Sequence, residues 1–116
     1  MKFRVNFYEL KGERMLKIFD LKTMVSYPYE EREKNVFYKT KEFKARIIEL
    51  PPGGKMPTCE MISYVVFYVL KGKAEVKVNR EKAVIEEGQC LITEPATLEM
   101  KTDNGVKIIG VQISKS

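Results

Sequence analysis

Turn signals cut the chain every few residues from position 51 onward. They are Pro51-Pro52-Gly53-Gly54, Gly72, Asn79-Arg80-Glu81, Glu86-Glu87-Gly88, Glu94-Pro95-Ala96 and Thr102-Asp103-Asn104-Gly105. Proline denies the sheet a donor and glycine admits positive φ, so each cluster ends a segment. What lies between is short, apolar and rich in β-branched and aromatic residues, which is strand chemistry. The pattern predicts an all-β domain with no helix longer than two turns.

The individual strands follow from period-2 alternation. Lys2–Tyr8 sets Phe3, Val5 and Phe7 on one face. Strands are expected over 35–40 and Phe43–Leu50, and Asp20 is placed to cap a short helical turn over Leu21–Met24. Tyr27–Lys34 is polar, contains Pro28 and reads as loop. Ser63–Lys71 is apolar on both faces, so both faces need cover. Gly72 reads as a turn, after which Lys73–Asn79 alternates Ala74, Val76 and Val78 against Lys73, Glu75 and Lys77. Further strands are expected at Lys82–Ile85, Cys90–Thr93, Thr97–Lys101 and Val106–Ile113, the last reached through the Asn104-Gly105 hairpin signal. Such a series closes into either a sandwich or a barrel, and periodicity does not choose between them.

Composition narrows the class. The 116 residues suit one domain. The net charge is +5, but of the 21 Lys and Arg, 12 lie in residues 1–50 and 9 beyond, with 8 acidic residues interleaved in each part. No basic run forms, which argues against nucleic acid. The longest apolar run, Tyr64–Leu70, is far short of a membrane span. The first residues lack a signal-peptide apolar region, so a cytoplasmic location is expected. Abundant Lys and Glu with only two Gln suggest a heat-adapted composition. Two cysteines, Cys59 and Cys90, are no disulfide framework. Free buried thiols are the plain expectation, and a bridge the alternative of a hyperthermophile.

Residues 43–113 resemble the cupin family. The first cupin motif, a Pro-Gly turn, then His-x-His, then Glu, then an apolar strand ending at Gly, is matched by PPGGKMPTCEMISYVVFYVLKG from Pro51 to Gly72. The second is matched by GQCLITEPATLEMKTDN from Gly88 to Asn104. The resemblance implies a double-stranded β-helix barrel over 43–116, often packed as a dimer. Residues 1–42 fall outside it and become an N-terminal extension packing on the barrel or on a partner subunit. The outer parity Tyr64, Val66, Tyr68 and Leu70 also favours a homodimer.

The chain departs from the family where the metal sits. Carried over residue by residue, Cys59 and Met61 stand for the two His, Val65 for the Glu and Met100 for the last His, on the assumption that Cys59, Met61 and Val65 share one strand face. No slip of alignment restores histidine, because the chain has none. The His-Asp pair of the sugar-nucleotide epimerase cupins is missing for the same reason.

Three readings of the interior follow. The first is a metal-independent pocket for a small organic molecule, lined by Cys59, Met61, Val65, Phe67 and Met100, without cofactor. Arg46 either supplies a positive group for a carboxylate or phosphate or, more commonly for arginine, faces outward. The second is a metal-free isomerase or lyase acting on a small polar metabolite, with Glu60, Tyr64, Glu94 and Glu99 as acid-base candidates. The third is Cu(I) held by the sulfurs of Cys59, Met61 and Met100. The same side chains also suit a filled barrel core.

Overall fold

The computed structural model describes residues 16–114, and the Lys2–Tyr8 strand expectation lies outside them. A 3-10 segment, Tyr29–Asn35, precedes eight strands: β1 (Val36–Lys39), β2 (Phe43–Leu50), β3 (Lys55–Met61), β4 (Tyr64–Val78), β5 (Glu81–Glu86), β6 (Cys90–Thr93), β7 (Ala96–Lys101) and β8 (Val106–Ile113). All pairings are antiparallel. They run β1-β2-β8-β4-β7-β3, with β5 and β6 also paired to β4.

The sheet curls because β4 belongs to both halves. Its first part, Tyr64 to Gly72, pairs with β8, and Val65 to Tyr68 pairs with β6. Its second part, Lys73 to Val78, pairs with β5, and Glu75 to Val78 with β7. Gly72, read from sequence as a turn, is instead the crossing point inside one continuous strand. It holds φ at 81°, and a Cβ there would drive into the Gly105 carbonyl oxygen. Two backbones therefore touch where one strand changes partners.

Turn chemistry locks this end of the curl. The buried Thr102 donates its hydroxyl to the Lys73 carbonyl at 2.7 Å and accepts from the Gly105 amide at 3.0 Å. Its backbone amide donates to Gly54 at 3.1 Å, and its carbonyl accepts from Gly53 at 3.0 Å. The Pro51–Gly54 turn, the β7–β8 turn and the β4 crossing are thus tied through one threonine.

The inner faces of both halves meet in a core of Ile48, Leu50, Met56, Val65, Phe67, Val69, Ala74, Val76, Leu98, Met100, Val106 and Ile108. Inward apolar residues alternate with outward ones, as closure of a sheet on itself requires. On the outer face, Ala45 and Ile47 of β2 are also buried. The segment before β1 runs close to this sheet: the Phe19 ring lies 5.0 Å from that of Phe37, and Lys107 donates to the Leu21 carbonyl at 2.9 Å.

Several sequence expectations are corrected. Residues 21–23 form a turn rather than a helical one, with the Lys22 amide donating to Asp20 at 3.0 Å. The loop expected over Tyr27–Lys34 is largely 3-10. The full cover expected for the outer parity of β4 is not supplied by the described residues, which leave Tyr64 39% and Tyr68 41% exposed. Both cysteines are free, but neither is buried: Cys59 is half-buried and Cys90 exposed. Among the described residues no helix is long and apolar enough to cross a membrane.

Because Gly72 combines positive φ with a backbone contact, Gly72→Ala is expected to destabilise the fold by on the order of 3 kcal/mol. Urea unfolding monitored by circular dichroism measures this, and an unchanged midpoint would show that β4 does not cross there under constraint.

Candidate functional site

Toward the other end the described residues leave the curl open around a cavity of about 220 Å³. Its apolar wall comes from every layer: Ile48 on β2, Met56, Cys59 and Met61 on β3, Val65 and Phe67 on β4, and Leu98 on β7. Gly110 of β8 stands between Arg46 and Phe67 in the sheet. A Cβ at that position would lie 3.1 Å from Ile48 Cδ1 and 3.3 Å from Phe67 Cε1, so the missing side chain helps keep the space open.

The polar wall grows out of strand parity. Lys44, Arg46, Ile48 and Leu50 alternate along β2, and Lys44, Arg46, Ile48 and Leu50 all line the cavity. Hydrocarbon at one end of that face therefore gives way to cations at the other. Arg46, whose side chain is only 11% exposed, donates from Nη2 to Gln112 Oε1 at 3.2 Å and to Glu33 Oε2 at 3.3 Å. Its Nη1 donates to the Arg32 carbonyl at 3.4 Å. Lys44 Nζ lies 3.8 Å from the other Glu33 oxygen.

Glu33 reaches this pair from the 3-10 segment. Desolvation opposes ionisation of its carboxyl, but Arg46 and Lys44, with the Arg46 hydrogen bond and more distant Lys39, outweigh it and hold the pKa below its ordinary 4.5. The segment is anchored by buried Asn35, which accepts from the Tyr27 amide at 2.7 Å and donates to the Tyr27 carbonyl at 3.0 Å. Both polar ends of one side chain amide thus close the loop that carries Glu33.

Five of the six residues singled out from sequence line this cavity: Arg46, Cys59, Met61, Val65 and Phe67. Arg46 faces inward, contrary to the commoner expectation. Met100 does not line it. It is buried between Met56 of β3 and Val76 of β4, while the β7 residue opposite Cys59 is Leu98. Cys59, Met61 and Val65 also do not share one strand, since β3 ends at Met61 and β4 begins at Tyr64.

The sulfur set therefore changes. Cys59 Sγ lies 3.6 Å from Met61 Sδ, and the third sulfur side chain on the cavity wall is Met56, not Met100. Of the acid-base candidates, Glu60, Tyr64 and Glu94 are exposed, and Glu99 accepts a hydrogen bond from Thr58 at 2.7 Å. None of the four lines the cavity. Lys44, Gln112, Glu33 and Asn35 were missed by sequence reasoning. Lys44 was within reach of it, being two residues from Arg46 on the same face, but the other three depend on pairing register and loop path.

Comparison with solved structures decides the architecture. A protein from Thermus thermophilus superposes with a TM-score of 0.74 at 21% identity, over 87% of this chain and 100% of that one. A cupin with a double-stranded β-helix fold from Methanocaldococcus jannaschii superposes with a TM-score of 0.61 at 19% identity, over 68% and 76%. The fold is that of the cupins. The cupin domain of Cnp3 from Schizosaccharomyces pombe matches at TM-score 0.63 and 21% identity over 69% of this chain, which spans 58% of that one. No protein-family model matches the sequence, and no curated protein does. Cupins that bind iron, manganese, nickel or zinc do so through histidine and glutamate, and this chain contains no histidine. The residues do not fit that metal site. Among the described residues no group of three or more His, Cys, Asp and Glu is placed to hold a metal ion.

The depressed Glu33 pKa has a readable sign. Stabilisation from its ionised form is present above the ordinary value and fades as pH falls through the lowered one. In an NMR titration Glu33 is expected to protonate below 4.5, and Arg46→Gln is expected to move it back up. A titration unaltered by that substitution would show that the cations do not act on this carboxyl.

Proposed function

We propose that the chain is a metal-independent binding module that holds a small organic molecule in the open end of its cupin barrel. The observation that carries the reading is the cavity's division into an apolar wall and a polar edge, where Lys44 and Arg46 stand with Arg32, Glu33 and Glu49. A mostly apolar hollow with a few convergent polar groups is the general form of a small-molecule site. Packing an inward Lys44 and Arg46 gains the core nothing, since hydrocarbon would fill the same face at lower desolvation cost.

Size sets the class of ligand. The volume of about 220 Å³ lies below the roughly 300–1,000 Å³ of sites for drug-sized molecules. It suits a compact metabolite of roughly ten non-hydrogen atoms rather than a nucleotide. A ligand so small is expected to bind with a dissociation constant between about 1 μM and 1 mM. Binding is favoured over isomerisation or elimination because Glu60, Tyr64, Glu94 and Glu99 stand away from the cavity wall, while Glu33, a carboxylate that does line it, is engaged with Lys44 and Arg46.

Benzamide, an uncharged planar probe of suitable size, tests occupancy directly. Its addition is expected to shift the methyl resonances of Ile48, Val65 and Leu98. Cys59→Phe, which fills the cavity from a half-buried position, is expected to abolish those shifts while leaving the spectrum folded. Shifts confined to Tyr64 and Tyr68 on the outer face would overturn the reading, as would no shifts from either benzamide or its carboxylate counterpart benzoate.

A further inference from the structure

The cationic edge is already met by a carboxylate, and the way it is met identifies the ligand's chemistry. Lys44 and Arg46 stand two residues apart on the inner face of β2, with side chains 26% and 11% exposed. Partly desolvated like charges beside an apolar wall require a counter-charge. Glu33 supplies it, but loosely: its contacts of 3.3 and 3.8 Å exceed the roughly 2.7–2.9 Å of a well-formed charged hydrogen bond. Its own side chain is 71% exposed, and it rides on a 3-10 segment rather than on the sheet.

Arg46 does not depend on Glu33 for its aim. Gln112 Oε1, on the neighbouring β8, accepts from Nη2 at 3.2 Å, and the Arg32 carbonyl accepts from Nη1 at 3.4 Å. Removal of the Glu33 carboxylate would leave a guanidinium still oriented by the sheet, with Lys44 beside it and the apolar wall beyond. We propose, resting on the cavity reading above, that the ligand is a small monocarboxylic acid with an apolar body, and that Glu33 occupies its carboxylate position until displaced. The Glu33 side chain is then a latch opened by exchange of one carboxylate for another, while the 3-10 segment that carries it stays anchored through Asn35. A loose exposed ion pair contributes little, so the exchange costs little, whereas the incoming carboxylate also brings its apolar body into the cavity.

Calorimetry with benzoate and its uncharged counterpart benzamide, on the full chain at low ionic strength, separates the possibilities. Benzoate is expected to bind about tenfold more tightly than benzamide. Glu33→Gln, at an exposed position where the fold should be unaffected, is expected to tighten benzoate about threefold and to leave benzamide unchanged. Arg46→Gln is expected to erase the preference, and Lys44→Gln gives the same readout if Arg46→Gln fails to fold. Equal affinity of the two probes would overturn the carboxylate proposal while leaving the cavity reading in place. Weaker benzoate binding in Glu33→Gln would also overturn it, because Glu33 would then be part of the ligand's support rather than its stand-in. Failure of both probes to bind would remove both readings together.

Discussion

The close approach of Gly72 to the Gly105–Val106 backbone lets one strand serve two half-sheets, and everything else in the barrel is arranged around it. At this point β4 stops pairing with β8 and begins pairing with β5 and β7. No side chain fits between the two backbones, so the crossing is closed tightly and Thr102 seals it with hydrogen bonds to three neighbouring segments. Closing one end leaves the other open. The cavity lies there: residues of β2, β3, β4, β7 and β8 converge on it, with no second seal among the described residues.

The chemistry of the opening follows from the same alternation that builds the core. Period-2 geometry fixes which residues of β2 point inward but not what they are. Ile48 and Leu50 extend the core, and Lys44 and Arg46 break it. Charges turned toward an apolar interior weaken a fold unless they are matched, and here Gln112 and Glu33 match them from different elements. Gln112 belongs to the rigid sheet and aims the guanidinium. Glu33 belongs to an exposed 3-10 segment tied down through Asn35, and it balances the charge without filling the cavity. A rigid orienting group paired with a loosely held counter-ion distinguishes this edge from an ordinary surface ion pair.

Most strands could be read from sequence because turn chemistry and alternation are local. Phe43–Leu50, Cys90–Thr93 and Val106–Ile113 emerged with the expected bounds. Gly72 misled because a glycine that reverses the chain and one that lets two backbones touch share the same positive φ. β3 was obscured by Pro57, whose missing donor weakens any strand signal. The site was legible only as far as parity reaches. Cys59, Met61, Val65 and Phe67 were placed toward the interior through the cupin resemblance and parity, whereas Arg46, on parity alone, was the commoner outward arginine. The position of Met100 could not be read this way, because the residue facing Cys59 is set by pairing register, which puts Met100 opposite Met56 and Leu98 opposite Cys59. Met100 shares that inner face but lies two residues deeper, about 7 Å along the strand. Glu33 and Asn35 act through the path of a loop that carries no periodic signal.

A structure of the protein crystallised with benzoate would test the whole arrangement at atomic level. The expected result places the ring against Val65, Phe67 and Gly110, the carboxylate between Lys44 and Arg46, and the Glu33 side chain turned away from both. Density for the ligand elsewhere, with Glu33 still paired to the two cations and the cavity unfilled, would contradict it.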